Sequence, residues 1–288
     1  EIKIVNKVIE TIIKIILVAL LFVCIFTFGI LNILSKTIFS QEYTLEMLDK
    51  SNYYANIYSQ IKSDFRNYIY QSGLDENVID DIITLDEVKS DTQRIVSGLY
   101  NGLHEEINTD KIAERLNSNI DTSLNGRKID NKTREQINIF VDQITTQYKE
   151  TMTKTEYENQ IYKYYSEAEK MIDIGKKTSI ILAAILGIII IVTYFRKLFK
   201  NVAYVGTAVF ATGLAYYIME NYITQKVQIE NLTILNDAIT LLLREYVLSI
   251  MEKIATYSYI YLAIGLVLIL VGSLVHGLQY HNHSHKKA

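Results

Sequence analysis

Residues 195–200 read Phe-Arg-Lys-Leu-Phe-Lys, three cations in six positions. Before them stands "SIILAAILGIIIIVTY" (179–194), and after them "VAYVGTAVFATGLAYYIM" (202–219). An apolar run that stops for a few charges and resumes at once suits two helices that cross a bilayer and meet in a tight turn at its surface. About 20 mostly apolar residues are needed for each crossing. Two further runs pass that test: Ile15–Ile33 ("IILVALLFVCIFTFGILNI") and Tyr257–Leu278 ("YSYIYLAIGLVLILVGSLVHGL"). The order is therefore one span, a long polar stretch, two spans, a shorter stretch and a fourth span. Such long charge-free runs are uncommon in soluble cores. The first run is followed by "LNILSKTIFSQEY", which has no small-x-small cleavage site. It reads as a retained anchor and not as a removed signal peptide.

The bulk composition agrees. Hydrophobic residues make up 49% of the 288 and charged ones 21%, with mean hydropathy +0.12. Oily segments beside a polar domain give that mixture. There is no proline, so no helix is interrupted by its ring. Cys24 is the single cysteine, which rules out an intrachain disulfide. The net charge of −3 gives no reason to expect nucleic acid as a partner. Richness in Ile, Lys, Asn and Tyr points to a bacterial source.

Lys and Arg in short loops mark the cytoplasmic side. Arg196, Lys197 and Lys200 place the tight turn there. Lys3, Lys7 and Lys14 before the first span and Lys286 and Lys287 at the end fall on the same side. Lys176 and Lys177, before the second span, are a contrary signal. The expectation is a plasma-membrane protein with both termini cytoplasmic and its main domain extracytoplasmic. Its parts are residues 1–35 (first span), 36–177 (helical extracytoplasmic domain), 178–219 (second and third spans with a basic loop), 220–256 (small helical extracytoplasmic loop) and 257–288 (fourth span and His-rich tail).

The fold class that follows is all-α: a four-helix transmembrane bundle with a large all-α domain inserted between spans one and two. About five helices are expected in that domain. Leu48, Tyr54, Ile57, Ile61, Phe65 and Ile69 lie on one broad helical face, which Gly73 ends. Thr84-Leu-Asp-Glu87 has capping-box spacing and opens a helix with Val88, Ile95, Leu99 and Leu103 inward. Asp110 caps a third helix with Ile112, Leu116, Ile120 and Leu124 along a stripe, ended by Gly126. Asn131 or Thr133 starts a fourth, burying Ile137, Phe140, Val141, Ile144 and Tyr148. Thr155-Glu-Tyr-Glu158 is a second capping box, starting a helix through Ile161, Tyr165, Ala168 and Ile172. In the smaller loop Leu232, Leu235, Ile239, Leu242, Val247 and Ile250 mark an apolar side. That segment can pack on the domain, which is the first expectation, lie on the membrane, or lengthen the fourth span.

No Asp, Glu, Lys, Arg or His stands in the middle of any span, where a charge usually marks an ion or proton path. Small residues stand there instead. Ala203, Thr207, Ala211 and Ala215 recur every four residues of the third span, with Gly206 and Gly213 nearby. Such stripes let helices approach closely, within the bundle or in a homo-oligomer. Candidate chemistry is sparse. His104-Glu105-Glu106 is one acidic cluster with a histidine. His281, His283 and His285 in the tail are candidate metal ligands, since neutral imidazoles chelate zinc, nickel or copper. No nucleophile elbow, phosphate loop or cysteine pair is present, and no cofactor is implied. From residue 41 to 176 there are 25 Asp and Glu against 16 Lys and Arg, a balance of −9, which suits a basic partner.

The order of spans is similar to that of permeases of the FtsX- and MacB-like mechanotransmission class. That resemblance implies an ectodomain moved by a cytoplasmic ATPase. The connection "RKLFK" is short for an ATPase docking surface. The functional expectation is a non-enzymatic polytopic membrane protein whose helical ectodomain binds or senses an envelope or membrane partner, with the bilayer as the other. The alternative is a transport or channel component, either an oligomeric pore or a permease-like partner of an ATPase.

Overall fold

The computed structural model describes residues 2–125, 129–153, 158–192, 198–226 and 237–285. Among these there is no strand. The elements are α1 (Ile2–Ser35), α2 (Gln41–Lys50), α3 (Tyr53–Ser72), a 3₁₀ turn (Glu76–Ile79), α4 (Leu85–Asn101), α5 (Asp110–Ser123), α6 (Asn131–Met152), α7 (Glu158–Val192), α8 (Leu198–Lys226) and α9 (Asp237–His285).

The chain divides into two units, and each is described by itself. The first holds Glu1–Phe39, Ala168–Leu232 and Tyr246–Ala288; the second holds Ser40–Glu167 and Thr233–Glu245. Four helices are long and apolar enough to cross a membrane, over Val8–Ser35, Tyr165–Val192, Lys200–Lys226 and Asp237–Val275. The buried share of their apolar windows is only 6%, 11%, 33% and 17%. Ile15, Ile188 and Val267 are 63%, 61% and 57% exposed. Water would penalise an apolar surface of that extent, whereas hydrocarbon would not. The first unit's interior is small and lies in two clusters. One joins Ile33, Tyr216, Met251 and Ile254. The other joins Leu21, Ile190 and Ala208.

The second unit has an ordinary core. Ile61, Phe65, Ile82, Val88, Leu116, Ile120, Ile144 and Tyr148 are buried together with Ala238. The stripes expected on α3, α5 and α6 supply most of it. The Thr84 capping box forms: Thr84 Oγ1 accepts from the Glu87 N–H at 3.2 Å, and Glu87 Oε2 accepts from the Thr84 N–H at 3.0 Å. Gly73 and Gly102 end α3 and α4 with φ of +71° and +68°, a region that costs glycine nothing.

Several boundaries differ from the sequence expectation. The stripe from Leu48 to Ile69 is two helices. Ser51 closes α2 and Asn52 turns left-handed at φ 53° before α3. Asn is among the few residues that take this conformation readily. Leu103 is 56% exposed, because Gly102 ends α4 one residue earlier and breaks the four-residue stripe. Asp110 is the first residue of α5 and not its cap. Thr109 holds the cap position, and Asn108 Oδ1 accepts from the Asp110 N–H at 2.8 Å. Asp130 caps α6, accepting from the Thr133 N–H at 2.8 Å. Gly126, Leu232, Leu235, residues 155–157 of the second capping box and the side chain of Ile161 lie outside the described residues. The segment before the fourth span is continuous with it as the 49-residue α9. Within the second unit, its first turn buries Ala238 in the core.

Candidate functional site

In the first unit, close helix approach is set by glycines. A Cβ added at Gly206 would lie 2.7 Å from Leu268 Cβ and 2.8 Å from the Ile269 nitrogen. At Gly213 it would lie 2.6 Å from the Leu262 nitrogen and 3.0 Å from the Ser258 carbonyl. Gly265, on the opposite helix, faces the backbone of Phe210 at a distance that leaves no room for a methyl. Glycines on both partners therefore form the α8–α9 seam. The alanine stripe lies differently. Thr207 is exposed, and Ala203, Ala211 and Ala215 are half-buried. Thr207, Ala208 and Ala211 line an open groove against α1 with Lys14, Ala19, Phe22 and Tyr204, of about 470 Å³.

Polar clasps join the helices of this unit. The buried Tyr216 hydroxyl donates to the Phe26 carbonyl at 2.7 Å, above Gly29, whose missing side chain leaves it space. Ser258 Oγ donates to the Gly213 carbonyl at 2.9 Å. Asn32 Nδ2 donates to the Tyr257 hydroxyl at 2.9 Å, and Asn201 Nδ2 to the Ile191 carbonyl at 3.2 Å. Each satisfies a polar group between apolar helices and fixes which helix faces meet. Sequence reading missed all four, since the paired residues share no local pattern.

The second unit contains a cleft of about 460 Å³, lined among others by Glu87, Asp91, Arg94, Asp110, Lys111 and Tyr148. Its position follows from the capping box, because Glu87 serves twice. While capping α4 it also receives a two-pronged ion pair from Arg115 on α5, at 2.7 and 2.8 Å. The Arg115 guanidinium holds the Glu87 carboxyl below the usual range, and Glu87 raises Arg115 in turn. Deeper in, Asp91 Oδ2 accepts from the Tyr148 hydroxyl at 2.7 Å and Oδ1 from Arg94 at 2.8 Å. Burial, then the Asp91 carboxylate, pushes the Tyr148 phenol well above its ordinary value. The cleft thus has charges of both signs whose main members are tied to each other. That composition suits recognition through shape and hydrogen bonds.

His104, Glu105 and Glu106 line a separate, open cleft of about 390 Å³ with Glu150 and Lys149. Among the described residues no group of three His, Cys, Asp or Glu is placed to hold a metal ion. The side chains of His281, His283 and His285 lie outside the described residues, as do Arg196 and Lys197. Lys200 is exposed in the first turn of α8.

Compared with known proteins, the chain matches no family model, no curated protein and no solved structure.

Proposed function

We propose that the protein is a polytopic membrane protein whose second unit, facing the cell envelope, binds a partner while its four apolar helices anchor that unit in the plasma membrane. The observation that carries this reading is the division of the chain by solvent preference. The span helices expose Ile, Val and Leu along most of their length, while the second unit buries its own apolar core and presents charge. The cleft bounded by Asp91, Arg94, Asp110 and Lys111 is the place assigned to the partner. Its Glu87–Arg115 and Asp91–Arg94 pairs are preformed, so little ordering is lost when a ligand arrives. The acidic balance of residues 41–176 favours a basic ligand surface.

Site-specific photocrosslinking in intact cells tests this. A crosslinker at exposed Ser90 or Asn108, beside the cleft, is expected to capture a discrete envelope partner. The same group at exposed Asn138 on α6 is expected to capture little. Equal capture from both positions, or co-purification of a stoichiometric ATPase or channel subunit, would contradict the binding reading and favour a transport component.

A further inference from the structure

The Lys176 ammonium donates to Ser35 Oγ at 3.0 Å, across 141 residues of sequence. The contact sets the end of α1 beside the middle of α7. Just below it Gly175 packs against Leu31, where an added Cβ would lie 2.7 Å from a Leu31 methyl. Lys36 follows directly after α1 and is exposed. Lys177 is also exposed and pairs with Asp173 at 2.6 Å. Both lysine-bearing segments sit where an apolar run meets polar sequence. The candidate span of α1 ends at Ser35, and within the α7 candidate span, Tyr165–Val192, the charge-free apolar run starts at Ser179. The Ser35–Lys176 contact therefore brings two lysine-bearing segments together at one end of the unit, with Lys36 next to Ser35 and Lys177 next to Lys176 in the chain, and with Asp173 paired to Lys177. Beside it, Ile180 and Ile181 on α7 are 49% and 58% exposed.

From this juxtaposition we infer a binding site for an anionic phospholipid. Its phosphodiester is held by Lys36, Lys176 and the Ser35 hydroxyl, with Lys177 adding to the field, and its acyl chains run along Ile180 and Ile181. Ammonium groups at a boundary attract anionic headgroups, and a hydroxyl beside them supplies a directed hydrogen bond to a phosphate oxygen. The charge lies at the end of the bundle opposite Lys200. It also gives the contrary Lys176-Lys177 signal in the sequence a task other than orienting the chain. The inference rests on the membrane reading above.

The test uses the full chain reconstituted into mixed vesicles of phosphatidylcholine and phosphatidylglycerol, with flotation to measure insertion and spin-labelled lipids to measure selectivity. The expected result is a preference for phosphatidylglycerol of about five-fold, the worth of one lysine near an anionic surface, weakening with salt. The triple variant K36Q/K176Q/K177Q is expected to insert equally and lose the preference, while K36R/K176R/K177R retains it. Excess inorganic phosphate is expected to leave the preference unchanged. Insertion without preference, a preference unaffected by the glutamine triple, or displacement by inorganic phosphate would overturn the lipid site alone. Failure of the wild-type chain to enter vesicles would instead overturn the membrane reading beneath it.

Discussion

A methyl group added at Gly213 tests how tightly α8 and α9 are packed. The new Cβ would stand 2.6 Å from the Leu262 nitrogen and 2.8 Å from Leu262 Cγ. Ordinary van der Waals contact begins near 3.4 Å, so the helices must separate by about 0.8 Å at this level. The nearest atom is backbone, which no rotamer change can move. Separation also stretches the 2.9 Å bond from Ser258 to the Gly213 carbonyl. Overpacking of this kind costs about 1–3 kcal/mol, against about 1 kcal/mol regained from alanine's better helix propensity. Gly187 on α7 is the internal control, because nothing lies within 4 Å of a Cβ placed there. Gly187→Ala is expected to be neutral or to stabilise by up to about 1 kcal/mol. The two variants should therefore differ by about 2 kcal/mol, read as unfolding free energy by steric trapping in bicelles. Equal stabilities, or a greater loss at Gly187, would refute the glycine seam.

Other expectations concern the second unit. Leu116→Ala removes a fully buried side chain and should cost about 2–5 kcal/mol in denaturant unfolding. Thr84→Ala should cost about 1 kcal/mol as a lost cap, with Gly or Ser at the same position losing less. Because Glu87 titrates lower in the folded protein than in the unfolded chain, its contribution is present above the ordinary carboxylate value and is lost as pH falls. Glu87→Gln should accordingly flatten the acid side of a stability–pH curve. Tyr148→Phe leaves Asp91 with Arg94 and should cost about 1–2 kcal/mol at neutral pH. The folded protein holds the Tyr148 proton more tightly than the unfolded chain does, so its contribution is present below pH 10.0 and is lost above it. The variant should show a shallower alkaline decline.

The parts of this fold carried by local pattern were legible. Span length, the three-to-four-residue stripes of α3, α5 and α6, and the Thr84–Glu87 box all reside within a few consecutive residues, where helical geometry alone decides. The break at Ser51-Asn52 was also local, but a continuous apolar stripe overrode the weaker turn signal of one asparagine. Leu103 fitted its stripe and failed because Gly102 stopped the helix first. Contacts between distant segments had no such signal. Tyr216 meets the Phe26 carbonyl across 190 residues, and Arg115 reaches Glu87 across 28. Glu87 was legible as a cap and not as the anchor of a cleft, since nothing in "TLDE" says which helix packs against it. Gly206 and Gly213 were marked as packing residues by composition. That they meet α9, while Thr207 and Ala211 line a groove with α1, depends on the rotation of α8, which a four-residue repeat of small side chains leaves open.

Four helices that cross a membrane would leave residues 40–167 on one aqueous side of it. Cysteine labelling in intact cells addresses this most directly, in a Cys24→Ser background with single cysteines at exposed Ser72 on α3 and exposed Lys200 on α8. Ser72→Cys is expected to react with a membrane-impermeant maleimide in intact cells, and Lys200→Cys only after permeabilisation. Equal labelling at both positions before permeabilisation, or release of the protein from membranes by an alkaline wash, would contradict this arrangement.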